Sequence, residues 1–80
     1  MKIGKDVVER WSKTVTEWLA ANYPQYTRET IKTGRDAWAV AHRAGLTREA
    51  YDERGVNDAH IQTALEAIFP NAVFKDKKVY

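Results

Sequence analysis

The chain has 80 residues, with 13 basic and 11 acidic side chains, 44% hydrophobic residues and no cysteine. A chain of this length is expected to form one small domain over 1–80, and without cysteine it has neither a disulfide framework nor a thiolate zinc site. It contains no run of about 20 apolar residues, which a membrane-spanning helix needs, and no signal peptide. We therefore expect a cytoplasmic protein that does not bind a membrane.

The net charge of +2 is distributed unevenly along the chain. Residues 1–35 carry seven basic and four acidic side chains, a net charge of +3. Residues 36–69 carry three basic and six acidic side chains, a net charge of −3, and residues 70–80 carry three basic and one acidic side chain, a net charge of +2. An acidic middle between basic ends is suited to electrostatic docking, which controls the orientation and rate of association more than its affinity.

The first predicted helix covers 6–22. Asp6 and Glu9 have the spacing of a capping box at its start. Pro24 ends the helix because proline disfavours a helical residue before it. Residues 25–32 are compatible with either a short helical turn or a loop. One core-facing stripe at helical spacing is formed by Val7, Val8, Trp11, Val15, Trp18 and Leu19.

Two short helices are predicted next, at 34–44 and 48–54. Thr33 has the position of a cap for the first of them. Gly45 is placed to end that helix in the left-handed conformation. We expect Thr47 to cap the helix that follows.

Hydrophobic contacts and glycine stops mark the remaining junctions. Leu46 is spaced to pack on Tyr51 as a hydrophobic staple, and Gly55 ends the third helix. Asn57 is expected to cap the last helix, 58–69.

The C-terminal residues 72–80 have a different character, with β-prone residues on both sides of a charged centre. The pattern is compatible with a tight hairpin, a single strand or a frayed end. The fold class predicted from these elements is mostly α. It is a compact bundle of about four short helices, with a helix-turn-helix-like central pair and a short C-terminal β-like hairpin or strand.

One motif suggests nucleic-acid binding. A helix-turn-helix motif has a small residue in its first helix, a glycine four residues later at the turn, an apolar residue after the glycine and a further apolar residue in the second helix. These positions are occupied by Ala41, Gly45, Leu46 and Tyr51. The segment thus resembles a helix-turn-helix motif, which implies that its second helix enters the DNA major groove.

The charges oppose this interpretation. The third predicted helix carries two basic and three acidic side chains, whereas a phosphate-binding surface gains affinity through lysine and arginine. A winged-helix arrangement is the alternative, with the last helix as the recognition helix and the C-terminal lysines as the wing. The candidate nucleic-acid contacts are Arg48, Gln62, Lys75, Lys77 and Lys78.

Catalytic and metal-binding patterns are missing from the sequence. His42 and His60 lie on different predicted helices, and neither has a neighbour at metal-ligand spacing. Ser12 is the only serine, and the four glycines are too scattered to cradle a phosphate. We therefore expect no enzymatic activity, no metal and no cofactor.

The aromatic side chains favour a binding function. We expect most of the three tryptophans in the core, whereas the segment 22–26 ends a helix at a proline and should leave its tyrosines exposed. Tryptophan, tyrosine and arginine dominate the energetics of many protein interfaces. The sequence therefore predicts a non-catalytic protein that binds a protein partner or a second copy of itself. The candidate contact residues are Tyr23, Tyr26 and Tyr80.

Overall fold

Four α-helices and one 3₁₀ turn form the part of the chain that the computed structural model describes, residues 3–52 and 55–74. In chain order they are α1 (Lys5–Asn22), the 3₁₀ turn (Arg28–Thr30), α2 (Gly34–Arg43), α3 (Leu46–Tyr51) and α4 (Asp58–Ile68). The predicted compact, mostly helical architecture is confirmed. None of these helices is both long and apolar enough to cross a membrane.

Helix α1 contributes the predicted stripe to the core. Trp11, Val15 and Leu19 are buried, and the other three stripe residues are half-buried against the same cluster. The predicted cap is wrong, because the helix begins at Lys5 and its N-cap residue, Gly4, makes no side-chain cap bond. Asp6 lies in the first turn instead, where its charge interacts favourably with the positive end of the helix dipole.

The start and end of α2 follow local sequence signals. The Thr33 hydroxyl accepts a hydrogen bond from the Asp36 backbone N–H at 3.1 Å, which confirms the predicted cap. Gly45 has a φ of +85°, which confirms the left-handed stop. Of the two alternatives for residues 25–32, the structure contains the short helical turn, Arg28–Thr30.

Helix α3 differs from its prediction in position and cap. It spans Leu46–Tyr51 and follows Gly45 directly, so Thr47 lies inside the helix and does not cap it. The predicted staple is also wrong, because Tyr51 is 49% exposed and Ala50 is the buried residue in this turn.

Helix α4 begins as predicted. The Asn57 side chain accepts a hydrogen bond from the His60 N–H at 3.1 Å, and the Asn57 N–H donates to His60 Nδ1 at 3.2 Å. Val56 is half-buried against the core before the cap. The buried face of the helix continues into Phe69, which is fully buried.

The C-terminal hairpin is not confirmed. Within the described residues, Val73 forms a single parallel bridge with Thr33 and no strand is present. Phe74 is half-buried against the core. The remainder of the predicted hairpin, 75–80, lies outside the described residues.

Candidate functional site

Exposed aromatic side chains lie where α1 ends. Tyr23 is 36% exposed and Tyr26 46% exposed. The Tyr23 ring is 5.5 Å from the half-buried Trp18 ring and 6.4 Å from the Tyr26 ring, between centroids. Such distances are typical of favourable aromatic pairs. We call Trp18, Tyr23 and Tyr26 the aromatic surface.

The backbone at the end of α1 holds the two tyrosine rings outside the core. Leu19 fills the last core position of the helix, and its carbonyl accepts a hydrogen bond from the Tyr23 N–H at 2.7 Å. The Tyr26 N–H then donates to the Tyr23 carbonyl at 2.9 Å, across a turn that contains Pro24. The tyrosines are therefore exposed because the chain turns before it can bury them.

A groove of about 190 Å³ separates the aromatic surface from α2. Leu19, Ile31 and Val40 contribute buried apolar side chains to its lining. Tyr23 and Tyr26 also line it, and we call this feature the α2 groove. An apolar lining with a few polar groups is typical of a binding site.

Opposite charges lie near the two ends of the α2 groove. Asp36 is in the first turn of α2 and Arg43 in the last, and both side chains are exposed and line the groove. They are seven residues apart, which is about 10 Å along a helix. Arg43 Nη1 donates to the Tyr23 hydroxyl at 3.2 Å. Neither charge forms an ion pair within residues 3–52 and 55–74.

A second cleft, of about 330 Å³, lies on the other side of Tyr26. Arg28 in its wall donates from Nε to the Thr16 hydroxyl at 3.1 Å and from Nη1 to the Ile68 carbonyl at 3.2 Å. These bonds join the 3₁₀ turn to α1 and α4. The segment that carries Tyr26 is therefore anchored at its C-terminal side.

His42 and Thr47 form the one contact that resembles a base and a nucleophile among the described residues. His42 Nδ1 lies 2.7 Å from the Thr47 hydroxyl oxygen, and the centroid of the His42 ring is 5.7 Å from that of the Trp38 ring, with the two planes tilted by 35°. Thr47 is only 4% exposed, so a substrate has no access to its hydroxyl. The contact instead links α2 to α3 across their short turn.

The described residues bring together no metal-binding group of three histidine or acidic side chains. His60 is half-buried, and its Nδ1 accepts the Asn57 N–H. Its side chain is therefore part of the N-terminal cap of α4.

The candidate nucleic-acid contacts are only partly described. Arg48 is exposed on α3 and Gln62 is half-buried on α4. α3 has six residues, fewer than two helical turns, which is short for a helix that reads a groove. Lys75, Lys77 and Lys78 lie outside the described residues, as does the candidate protein contact Tyr80.

Two other polar contacts hold α3 in place away from the groove. Glu49 accepts two hydrogen bonds from the Arg10 guanidinium, at 2.9 and 2.5 Å, and one from Trp11 Nε1 at 3.3 Å. The bond with Arg10 lowers the pKa of Glu49 and raises that of Arg10. Tyr51 donates to Asp58 at 2.6 Å, and this bond, with partial burial, raises the pKa of Tyr51 to about 12.

Comparison of the chain with protein-family models, curated proteins and solved structures gave no match. The candidate site therefore depends on its own geometry. Sequence reasoning selected Tyr23 and Tyr26 but not Asp36 and Arg43. The available signal was their helical spacing of i and i+7, which places two opposite charges on one face of α2.

Proposed function

We propose that the protein is a non-catalytic interaction module that binds another protein chain through the aromatic surface and the α2 groove. The observation that carries the proposal is the pair of exposed tyrosines, Tyr23 and Tyr26, beside a groove with an apolar lining. Tyrosine supplies a large contact area at a small cost in conformational entropy.

The surface also has features that reduce the cost of binding. The helix end at Tyr23 and the Arg28 contacts fix the segment on both sides of Tyr26. A segment whose backbone is already held in place loses less conformational freedom on association. Arg43 adds an unneutralised guanidinium, within the described residues, next to the Tyr23 hydroxyl.

Nucleic-acid binding has less support. The short α3 carries Arg48 beside Glu49, and Glu49 is already paired with Arg10. The groove contains one cation and one anion, which gives it no net attraction for phosphate.

The proposal is tested by affinity capture with three tagged variants. Tyr23→Ser and Tyr26→Ser alter the aromatic surface. Tyr51→Ser is the matched control, because Tyr51 is a similarly exposed tyrosine on α3, outside the groove lining. Thermal melts first establish that all three variants are folded. The proteins recovered from lysates of expressing cells, including untagged copies of this chain, are then quantified by mass spectrometry.

We expect at least one protein whose recovery falls in the Tyr23 and Tyr26 variants and is unchanged in the Tyr51 control. Equal recovery by all variants would refute the proposal.

A further inference from the structure

We propose that the chain bound at the α2 groove is a second copy of the same protein, with the two α2 helices antiparallel across a two-fold axis. This inference rests on the proposed function and identifies its partner. The observation that supports it is the arrangement of charge along α2. The acidic Asp36 near the start of the helix and the basic Arg43 near its end can pair with the same two residues of an antiparallel second copy.

A two-fold interface brings the same surface of both copies together, so that residue i of one copy contacts residue j of the other, and the reverse. With two antiparallel α2 helices, Asp36 of each copy faces Arg43 of the other, and the same ion pair forms twice. A parallel arrangement would bring like charges together, which costs binding energy. The exposed charges of α2 therefore select the antiparallel arrangement.

The centre of this arrangement is small and apolar. Ala39 and Val40 lie midway between the two charges, and the four residues have the spacing i, i+3, i+4 and i+7 of one helix face. The distance between two packed helices depends on the side chains at their contact. Ala39, which is half-buried, presents only a methyl group, so the two helices can approach closely.

The flanking residues are compatible with the same pairing. Arg35 is the remaining charged residue in the first turns of α2, and the pairing that joins Asp36 to Arg43 places it opposite Ala44. In this register no charged residue of the other α2 helix lies directly opposite Arg35. Tyr23 stays beside Arg43, where its hydroxyl holds the guanidinium at the rim of the groove.

The test uses sedimentation velocity of the full chain at low salt, from about 1 µM to 1 mM, a range that covers weak interfaces. We expect the mass of the wild-type protein to rise towards that of a dimer. Asp36→Arg and Arg43→Asp should each weaken association roughly tenfold or more, because each places like charges together at both ends of the interface. Glu66→Arg and Lys13→Asp are the controls, since they make the same charge changes at exposed positions outside the groove lining.

Mixing the two single variants provides the decisive measurement. In a mixed dimer the introduced arginine faces the introduced aspartate, and the original Arg43 faces the original Asp36, so we expect association to return. The double variant Asp36→Arg/Arg43→Asp should also associate, because its charges are only exchanged. This variant keeps the test available if a single variant does not fold.

A wild-type chain that stays monomeric throughout, or a mixture no more associated than its components, would overturn the inference. The proposed function is judged separately by capture. If the chain is monomeric but a different protein is still lost from the Tyr26 variant, the second copy is excluded and the binding function stands. If neither self-association nor selective capture occurs, both proposals fail.

Discussion

Gly34 offers a direct test of how the C-terminal end of the described chain is attached to the bundle. A Cβ atom at this position would lie 2.8 Å from Phe74 Cδ2 and 3.2 Å from Phe74 Cα. The Phe74 ring could rotate, but its backbone is held, because Gly34 N–H donates to the Val73 carbonyl at 2.9 Å and Val73 N–H to the Lys32 carbonyl at 3.0 Å. Gly34→Ala should therefore displace the segment.

The magnitude follows from what the displacement would remove. Full burial of a phenylalanine side chain is worth about 1.5–3 kcal/mol, so the half-buried Phe74 contributes about 1. Each of the two backbone hydrogen bonds contributes about 1 kcal/mol. Replacing glycine by alanine also lowers the conformational entropy of the unfolded chain, which offsets the loss of stability by about 0.4–1 kcal/mol. Loss of all three contributions gives an expected net destabilisation of about 2–2.6 kcal/mol, or a fall in melting temperature of roughly 8–20 °C for a domain of this size.

Thermal unfolding followed by circular dichroism measures the effect, with Gly4→Ala as the control, since a Cβ at Gly4 meets nothing within 4 Å. A cycle with Phe74→Ala separates the part that the ring contributes, because the cost of Gly34→Ala should fall by about 1 kcal/mol when the burial of the ring can no longer be lost. A Gly34→Ala variant that melts at or above the wild-type temperature would show that Phe74 does not pack on α2.

Three further predictions concern α3 and its junctions. The pKa of Glu49 is lower in the folded chain than its ordinary value of 4.5, so the bond with Arg10 stabilises the fold above that pH and is lost as the pH falls through the lowered pKa. Glu49→Gln should therefore reduce the acid dependence of the melting temperature, and the effect should be small because both side chains are exposed. The pKa of Tyr51 is raised to about 12, so stability should decline as the pH rises from 10 towards 12. In the Asp58→Ala variant, the pH at which the tyrosinate absorbance of Tyr51 appears should fall back towards the ordinary pKa of tyrosine, about 10. Gly45→Ala should destabilise the fold by roughly 1–2 kcal/mol in a urea titration, because a side chain disfavours the φ of +85°; an unchanged midpoint would contradict the turn geometry.

The features that were predictable from sequence depend on groups close together in the chain. The Asn57 cap and the Thr33 cap each join residues three apart, so their geometry is available before any tertiary contact forms. Gly45 adopts a conformation that few other residues accept. The stripe on α1 was predictable because helical spacing alone places Trp11 and Val15 on one face.

The errors arose where two local signals competed, or where a contact joined distant segments. Thr47 has a cap's position, but Gly45 begins α3 two residues earlier and the Thr47 hydroxyl contacts His42 instead. Tyr51 has a staple's spacing, yet its hydroxyl bonds to Asp58, which keeps its ring at the surface. In each case a polar partner elsewhere in the chain decided the position of the side chain.

The candidate site shows the same division between local and distant causes. Exposure of Tyr23 and Tyr26 follows from the end of α1 shortly before Pro24, a stop that can be predicted from the sequence alone. The groove also requires that the loop after α1 lie against α2. The hydrogen bond from Arg43 to the Tyr23 hydroxyl, between residues 20 apart in the chain, is one contact between them. In the proposed interface, the two exposed tyrosines would supply contact area. The two opposite charges of α2 would set the orientation of that proposed interface, because they favour one direction of an approaching helix and penalise the other.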